Sequence, residues 1–254
     1  MSDFSDWYNG IPQITRYWFT AATVVPLLGR IGLLPAHLMY LDWTLFWEHF
    51  QIWRPVTAFI YYPITPQTGF HWLLTIYFLY TYSKSIETSL FSQRPADYVF
   101  MLFFSWVCSV MIGFGFGMYF LLEPMVLSVL YNWCQFNKDA IVSFWFGTKF
   151  KAVYLPWVLV AFNMILRGGG LNEIAGIIIG HAYYFLAVQY PAERGTAPLI
   201  STPQFLYRWF PNVQGGMGGF GQPASRPAAA NNQQAPAAAR RQGAFWGQGQ
   251  AVGN

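Results

Sequence analysis

His181 is the titratable side chain whose position in the sequence most strongly suggests chemistry. It lies in an uncharged run of 19 residues between Glu173 and Glu193. A helix over that run would place it about 15 Å deep, close to the midplane of a bilayer. An ionisable group at that depth is costly and is a candidate functional residue. A neutral imidazole is the least costly such group, so a structural hydrogen bond to a neighbouring helix is the alternative.

Ser128 is the serine best placed to act as a nucleophile with His181, because it lies in another apolar segment. Its neighbours in the sequence are methionine, valine and leucine. An intramembrane serine protease needs glycine around the nucleophile, so that backbone N–H groups can reach the oxyanion. That setting is missing, and proteolysis is therefore not expected.

Gly176 and Gly180 form a G-x-x-x-G pair in the same segment as His181, and Asn172 precedes them on the same face. Small residues four positions apart let two helix backbones approach closely. Packing within the chain is the simpler interpretation. Self-association into a homo-oligomer is the alternative, and Asn172 could instead line a groove with His181.

Other enzyme and cofactor signatures are missing from the sequence. It contains no Walker-type loop, no H-E-x-x-H, no C-x-x-C and no G-x-S-x-G. Cys108 and Cys134 lie in apolar runs without metal-ligand spacing, so we interpret them as small buried residues. We therefore expect no metal, no cofactor and no enzymatic activity.

The composition decides the class of protein that must position these residues. Hydrophobic residues make up 55% of the 254 residues and charged residues only 9%, whereas a soluble domain carries about 25% charged residues. So little charge cannot cover a soluble surface. The composition excludes an ordinary soluble enzyme, a disordered hub and a nucleic-acid binder, and it favours an all-α membrane protein.

Six helices are predicted from the uncharged and apolar segments. Two uncharged runs, residues 98–122 and 174–192, contain 25 and 19 residues and are long enough to span a bilayer. The other four segments are less certain because they are short or interrupted. We place them at residues 17–34, 68–82, 124–136 and 153–166.

The basic residues predict how these helices are oriented. With a cytosolic N-terminus, 11 of the 14 lysines and arginines fall on the cytosolic side and 3 on the far side. The positive-inside rule therefore places both termini in the cytosol. The first ten residues are acidic and polar, which does not match a signal peptide. Topology accounts for the basic excess, so no nucleic-acid partner is expected.

The first far-side loop carries an aromatic stripe in the segment LDWTLFWEHFQIWRP, residues 41–55. Its tryptophans and phenylalanines recur at helical spacing, and most charged residues fall elsewhere on the helical wheel. This pattern predicts an amphipathic helix lying in the plane of the membrane interface. A packed loop is the alternative.

The region after the last predicted helix divides into two parts. Residues 191–210 are predicted to form a short interfacial segment, with Thr202 as a helix N-cap and Pro203 in the first turn. Residues 211–254 are rich in Gly, Ala, Pro, Gln and Asn, which predicts a disordered tail. The tip AFWGQGQAVGN regains aromatic residues, as is typical of a docking peptide.

The sequence resembles the Derlin family, which are rhomboid-like pseudoproteases of the endoplasmic reticulum. The similar blocks run almost end to end and lie nearest to the first metazoan member: SDWYNGIPQITRYWFTA, FQIWRPVTAF, RPADYVFMLFFSW, NKDAIVSFWFGTKFKAVYLPWVL, GHAYYFL and STPQFLYRW. The resemblance implies a rhomboid-like bundle of six transmembrane helices over residues 17–190, with an in-plane amphipathic helix in the first lumenal loop. Residues 1–16 would be a cytosolic N-terminus.

The resemblance also implies roles for particular residues. Trp53 and Arg54 match the Trp-Arg motif of the rhomboid first loop. Gly176, Gly180 and His181 match the last-helix motif, in which active rhomboids place a histidine beside the serine of Gly-x-Ser-Gly. This sequence lacks that serine motif, as Derlins do.

The function implied by the resemblance is endoplasmic-reticulum-associated degradation, in which misfolded clients pass from the lumen or the membrane to the cytosol. The implied partners are a membrane ubiquitin ligase complex, the client proteins, the lipid bilayer and valosin-containing protein, an AAA ATPase. The residues resembling the motif that binds this ATPase are Phe245, Trp246, Gly247, Gly249 and Val252. A membrane scaffold that links ligase and ATPase without its own client path is the alternative function.

Overall fold

The computed structural model describes residues 2–143 and 147–212, and this part of the chain is mostly helical. The docking peptide predicted near the C-terminus lies outside these residues. The helices are α1 (Ser2–Asn9), α2 (Gln13–Arg30), α3 (Trp43–Trp47), α4 (Arg54–Ala58), α5 (Gly69–Phe78), α6 (Lys84–Ser89), α7 (Pro95–Phe116), α8 (Leu122–Phe136), α9 (Leu155–Arg167), α10 (Leu171–Tyr184), α11 (Tyr190–Arg194) and α12 (Gln204–Trp209). Strands β1 (Ile141–Ser143) and β2 (Lys149–Lys151) pair antiparallel between α8 and α9.

A helix occupies each of the six segments in which the sequence predicts one: α2, α5, α7, α8, α9 and α10. Among the described residues, two helical stretches are long and apolar enough to cross a membrane, Pro95–Phe116 and Leu171–Arg194. The mostly helical fold agrees with the predicted class. A bundle of six spans stays a prediction.

Two pairs of α-helices are each joined by a π-helical turn into one longer helical stretch. The turn Leu79–Ser83 joins α5 to α6, and the turn Phe185–Gln189 joins α10 to α11. A π turn widens the helix by one residue without ending it. The helix predicted to stop at residue 82 therefore continues to Ser89.

Helix α8 lies at the centre of the described fold. Twelve of its 15 residues are buried, including the polar Glu123, Ser128 and Asn132. One side of it, with Met125 and Val129, belongs to a core shared with α2, α5 and α7. Another side, with Leu130 and Cys134, belongs to a core shared with α9 and α10.

The outer surfaces of the surrounding helices carry large apolar side chains. Leu73, Tyr77, Phe103, Met111 and Ile178 are all exposed. So many exposed large apolar side chains are unusual on a soluble monomer. It is the surface that a bilayer would cover.

The first loop differs from its prediction, since the continuous in-plane helix is not confirmed. Asp42 caps α3 by accepting hydrogen bonds from Thr44 Oγ1 (2.6 Å) and the Leu45 N–H (2.9 Å), and these bonds lower the pKa of Asp42. Helix α3 ends after five residues, and the chain turns through Phe50 at a φ of 51°. A positive φ is incompatible with a right-handed helix, so α4 begins as a separate element at Arg54.

The C-terminal described segment is fixed by Asp97, and the predicted Thr202 cap is wrong. Thr202 Oγ1 and the Tyr207 hydroxyl both donate to Asp97 Oδ1, each at 2.6 Å. The Thr202 hydroxyl is therefore used at the start of α7, and Pro203 precedes α12 without a side-chain cap. Burial and the bond to Asp97 raise the pKa of Tyr207 to about 12, so this phenol stays a donor at physiological pH.

Candidate functional site

Three ionisable side chains meet at the N-terminal ends of three helices. His71 lies in the first turn of α5, Glu123 in that of α8 and Glu173 in that of α10. All three are largely buried, and their nitrogen and oxygen atoms lie within 4.8 Å of one another. The partial positive charge at helix N-termini stabilises the two carboxylates there. The fold thus places a polar centre among apolar helices.

Direct contacts connect the members of this polar centre. His71 Nε2 lies 2.7 Å from Glu123 Oε1, and the Asn172 amide donates to Glu123 Oε2. The Asn163 amide of α9 donates to Glu173 Oε1 at 2.6 Å. Each carboxylate therefore has a side-chain amide that fixes its orientation, as buried charges require.

The polar centre lines two pockets of different size. A cavity of about 30 Å³ is lined by His71, Glu123, Asn163 and Glu173 together with apolar side chains. A pocket of about 170 Å³ at the loop between α9 and α10 is lined by Glu123, Asn172 and Glu173. Both carboxylates therefore line both pockets.

Sequence reasoning missed most of this centre. In the sequence, Glu123 and Glu173 only marked the ends of uncharged runs, and no sequence pattern pointed to Asn163. His71 could have been found, because it is an ionisable residue inside the apolar stretch 55–83, the same criterion that singled out His181. Of the predicted site residues, Asn172 is the one that joins the centre.

Gly176 and Gly180 lie where α10 packs against α8. A Cβ on Gly176 would lie 2.7 Å from Leu127 Cβ and 2.8 Å from the Pro124 carbonyl oxygen. A Cβ on Gly180 would lie 2.9 Å from the Ser128 carbonyl oxygen. Both glycines are thus used in packing within the chain, and a role in self-association stays a prediction.

His181 lies outside the polar centre that Asn172 joins, and a groove shared by Asn172 and His181 stays a prediction. The His181 side chain is exposed, and its Nδ1 lies 2.8 Å from the Tyr131 hydroxyl of α8. This is a hydrogen bond to a neighbouring helix, which is the structural role considered from the sequence. The buried Ser128 hydroxyl donates to the Met125 carbonyl at 2.8 Å, so these bonds do not join Ser128 to His181 as nucleophile and base.

The arginine of the Trp-Arg motif stabilises the first loop. Arg54 is 2% exposed, and its guanidinium donates to the carbonyls of Tyr40 (2.7 Å) and His37 (3.0 Å) and to Gln51 Oε1 (2.7 Å). It also lies over the Tyr40 ring at 4.9 Å. Trp53 remains exposed beside it. Arg54 thus holds the loop together, a role that helical periodicity did not predict.

The sequence of the chain matches known proteins over most of its length. Residues 11–204 match the sequence model of the Der1-like family. Derlin-1 of Caenorhabditis elegans is 57% identical over 217 residues, which cover 85% of this chain and 88% of that protein. Derlin-1 of Homo sapiens is 49% identical over 254 residues, covering 100% of both chains. Derlin-1 of Drosophila melanogaster is 45% identical over 221 residues, covering 87% of this chain and 90% of that protein.

Proposed function

The chain belongs to the Der1-like family, and on that basis we propose that it is a non-proteolytic component of endoplasmic-reticulum-associated degradation. In this role it aids the passage of misfolded lumenal and membrane proteins to the cytosol. The similarity to Derlin-1 proteins over most of the chain carries the proposal. Family membership and the apolar helices also indicate a membrane protein that fits a non-catalytic rhomboid-like class. The proposed location is the endoplasmic reticulum membrane, with both termini in the cytosol.

The short helices supply a physical mechanism for the proposal. Helix α9 has 13 residues and exposes apolar side chains such as Ile165, so it is about 20 Å long at a rise of about 1.5 Å per residue. Helix α8, with 15 residues and a length of about 22 Å, is enclosed by its neighbours. The hydrocarbon core of the endoplasmic reticulum bilayer is about 27 Å thick. Helices shorter than that thickness favour local thinning of the bilayer, which lowers the cost of moving a polar client backbone.

The polar centre is placed where it could assist such a client. The surface pocket is lined by Glu123, Asn172 and Glu173 and lies beside apolar helices. Polar groups in that position can bond to the N–H groups of a client segment that has left water. The proposed client path therefore begins at the loop between α9 and α10.

The C-terminal tail supplies the proposed link to the ATPase. The human relative aligns over the whole chain and therefore also over the tail. We propose that Phe245, Trp246, Gly247, Gly249 and Val252 recruit valosin-containing protein, which provides the energy. A membrane ubiquitin ligase complex would mark the clients on the same side.

The proposal is tested by following a misfolded lumenal glycoprotein after synthesis is stopped, in cells that lack this protein. Rescue compares the full chain with a truncation after Gln242, each with and without a proteasome inhibitor. We expect the full chain alone to restore proteasome-dependent loss. Equal rescue by the truncation would contradict the docking role of Trp246, and no rescue by the full chain would contradict the function itself.

A photo-crosslinking residue distinguishes a client path from the alternative scaffold. Placed at Asn172, beside the surface pocket, it should crosslink to a client during transport. The matched control is Ile165, which is 84% exposed on α9 and lies outside the residues lining the pocket. Client crosslinks at Asn172 above those at Ile165 support a path, and crosslinks confined to the tail support a scaffold.

A further inference from the structure

We propose that His71, Glu123 and Glu173 bind a divalent transition-metal ion, with Zn²⁺ as the best fit. One imidazole and two carboxylates form a mixed nitrogen and oxygen donor set, which suits Zn²⁺ and its first-row neighbours better than Mg²⁺ or Ca²⁺. The three side chains come from α5, α8 and α10. A bound ion would therefore link three helices at one end of the described fold.

The separation of the ligand atoms supports this assignment. They all lie within 4.8 Å of one another. Zn–N and Zn–O bonds of about 2.0–2.2 Å place tetrahedral ligand atoms about 3.4 Å apart. Closing that difference requires rotations of the side chains. The ion would replace the direct contact between His71 Nε2 and Glu123 Oε1, which are 2.7 Å apart.

The surroundings of the carboxylates resemble the outer shell of a metal site. The Asn172 amide donates to Glu123 Oε2, and Glu123 Oε1 faces His71. The Asn163 amide donates to Glu173 Oε1. Hydrogen bonds of this kind orient ligating carboxylates and are a regular part of protein metal sites.

Space and access are also present. The small cavity of about 30 Å³ is lined by all three proposed ligands. That volume is sufficient for a water molecule, which could take an open coordination position. The surface pocket of about 170 Å³ reaches Glu123 and Glu173 and supplies the entry route that a metal site needs.

The charges of the site favour a dication. Glu123 and Glu173 are both buried and lie close enough to repel each other when ionised. A dication with three protein ligands neutralises both carboxylates at once and takes the place of the water that hydrates them in the unfolded chain. Because the ion connects α5, α8 and α10, its binding should stabilise this end of the protein.

The experiment uses the full chain, purified in lipid nanodiscs and stripped of metal with a chelator. Co²⁺ is the probe, because tetrahedral Co²⁺ sites absorb visible light, and Zn²⁺ is then added as a competitor. We expect one Co²⁺ per chain, displacement by Zn²⁺ and a higher unfolding temperature with Zn²⁺. Mg²⁺ at the same concentration should leave the Co²⁺ spectrum unchanged.

Substitutions test whether these residues bind the metal ion. We expect Glu173→Gln and His71→Gln to bind Co²⁺ at least tenfold more weakly, and Asn163→Ala to bind it about 10–100-fold more weakly. His181→Gln is the matched control, because it removes an imidazole outside the polar centre and should bind as the wild type does. If a ligand variant does not fold, the wild-type titration and Asn163→Ala decide.

Two results would overturn the proposal. One is a folded wild-type chain that binds no stoichiometric Co²⁺ or Zn²⁺, which would leave the polar centre as a hydrogen-bonded network alone. The other is binding that Glu173→Gln, His71→Gln and Asn163→Ala leave unchanged. Metal binding is read without any client, so failure here is distinct from failure of the proposed function.

Discussion

At the scale of single residues, the polar side chains of the described fold are used mainly to hold helices and loops in place. Arg54 satisfies the carbonyls of His37 and Tyr40 from inside the first loop. His181 bonds Tyr131 across two helices. Arg54 and His181 thus make structural hydrogen bonds, and the buried ionisable cluster is formed by His71, Glu123 and Glu173.

Gly176 gives the first prediction, because it allows α8 and α10 to approach each other. We expect Gly176→Ala to lower the free energy of unfolding by about 1–3 kcal/mol, since the added Cβ would meet Leu127 and the Pro124 carbonyl at under 3 Å. Gly115→Ala is the matched control, because a Cβ there meets nothing within 4 Å. Unfolding in detergent measures both, and equal stability of the two variants would refute the packing role.

At the scale of elements, Glu87 shows how one helix can cap another. Helix α2 begins after Pro12 without a side-chain cap of its own. The Glu87 carboxylate of α6 accepts from the Ile14 N–H (3.0 Å), the Thr15 N–H (2.7 Å) and Thr15 Oγ1 (2.6 Å). It therefore satisfies N–H groups that the first turn of α2 leaves unpaired.

We expect Glu87→Gln to destabilise the protein by about 1–3 kcal/mol, because the amide removes the charge and replaces one of the two acceptor oxygens with a donor that faces N–H groups. The loss should appear first as faster hydrogen exchange at Ile14 and Thr15. Glu193→Gln is the control, since Glu193 is exposed and surface substitutions change stability by about 0.5 kcal/mol or less. Unchanged exchange in α2 would show that the cap is not needed.

At the scale of the whole molecule, the proposed mechanism depends on the lengths of the helices. Helix α7 has 22 residues and can span a bilayer, whereas α9 has 13. Only the short helices create a mismatch with the hydrocarbon core. The proposed membrane thinning would therefore depend on the assembled helices and not on any single motif.

Lengthening α9 tests this mechanism. Four leucines inserted between Ile165 and Leu166, which are both exposed, should slow client transport severalfold, because the longer helix removes the mismatch. The same insertion after Met111 of α7 is the control and should have a smaller effect. The measurement is the half-life of the lumenal glycoprotein in the rescue assay. Equal transport by the α9 variant and the wild type would contradict the thinning mechanism.

The sequence by itself determined the class of the protein and the position of its helices. Low charge and long apolar runs require helices that can lie in lipid, because a bilayer leaves no other way to pair backbone groups within a segment. Those signals are local, and helices are found in all six predicted segments. The block similarity identified the family, which the comparisons confirm.

Only the tertiary structure decided which polar residues meet. His71, Glu123 and Glu173 are separated by 52 and 50 positions, and no periodicity relates residues on three different helices. The end of α3 in the first loop and the hydrogen bond of Thr202 also differ from what the local sequence predicts. The positive φ at Phe50, the buried guanidinium of Arg54 and the bond from Thr202 to Asp97 depend on contacts formed after the helices pack. Local sequence patterns determine where helices form, whereas the packing of distant segments determines which groups contact each buried charge.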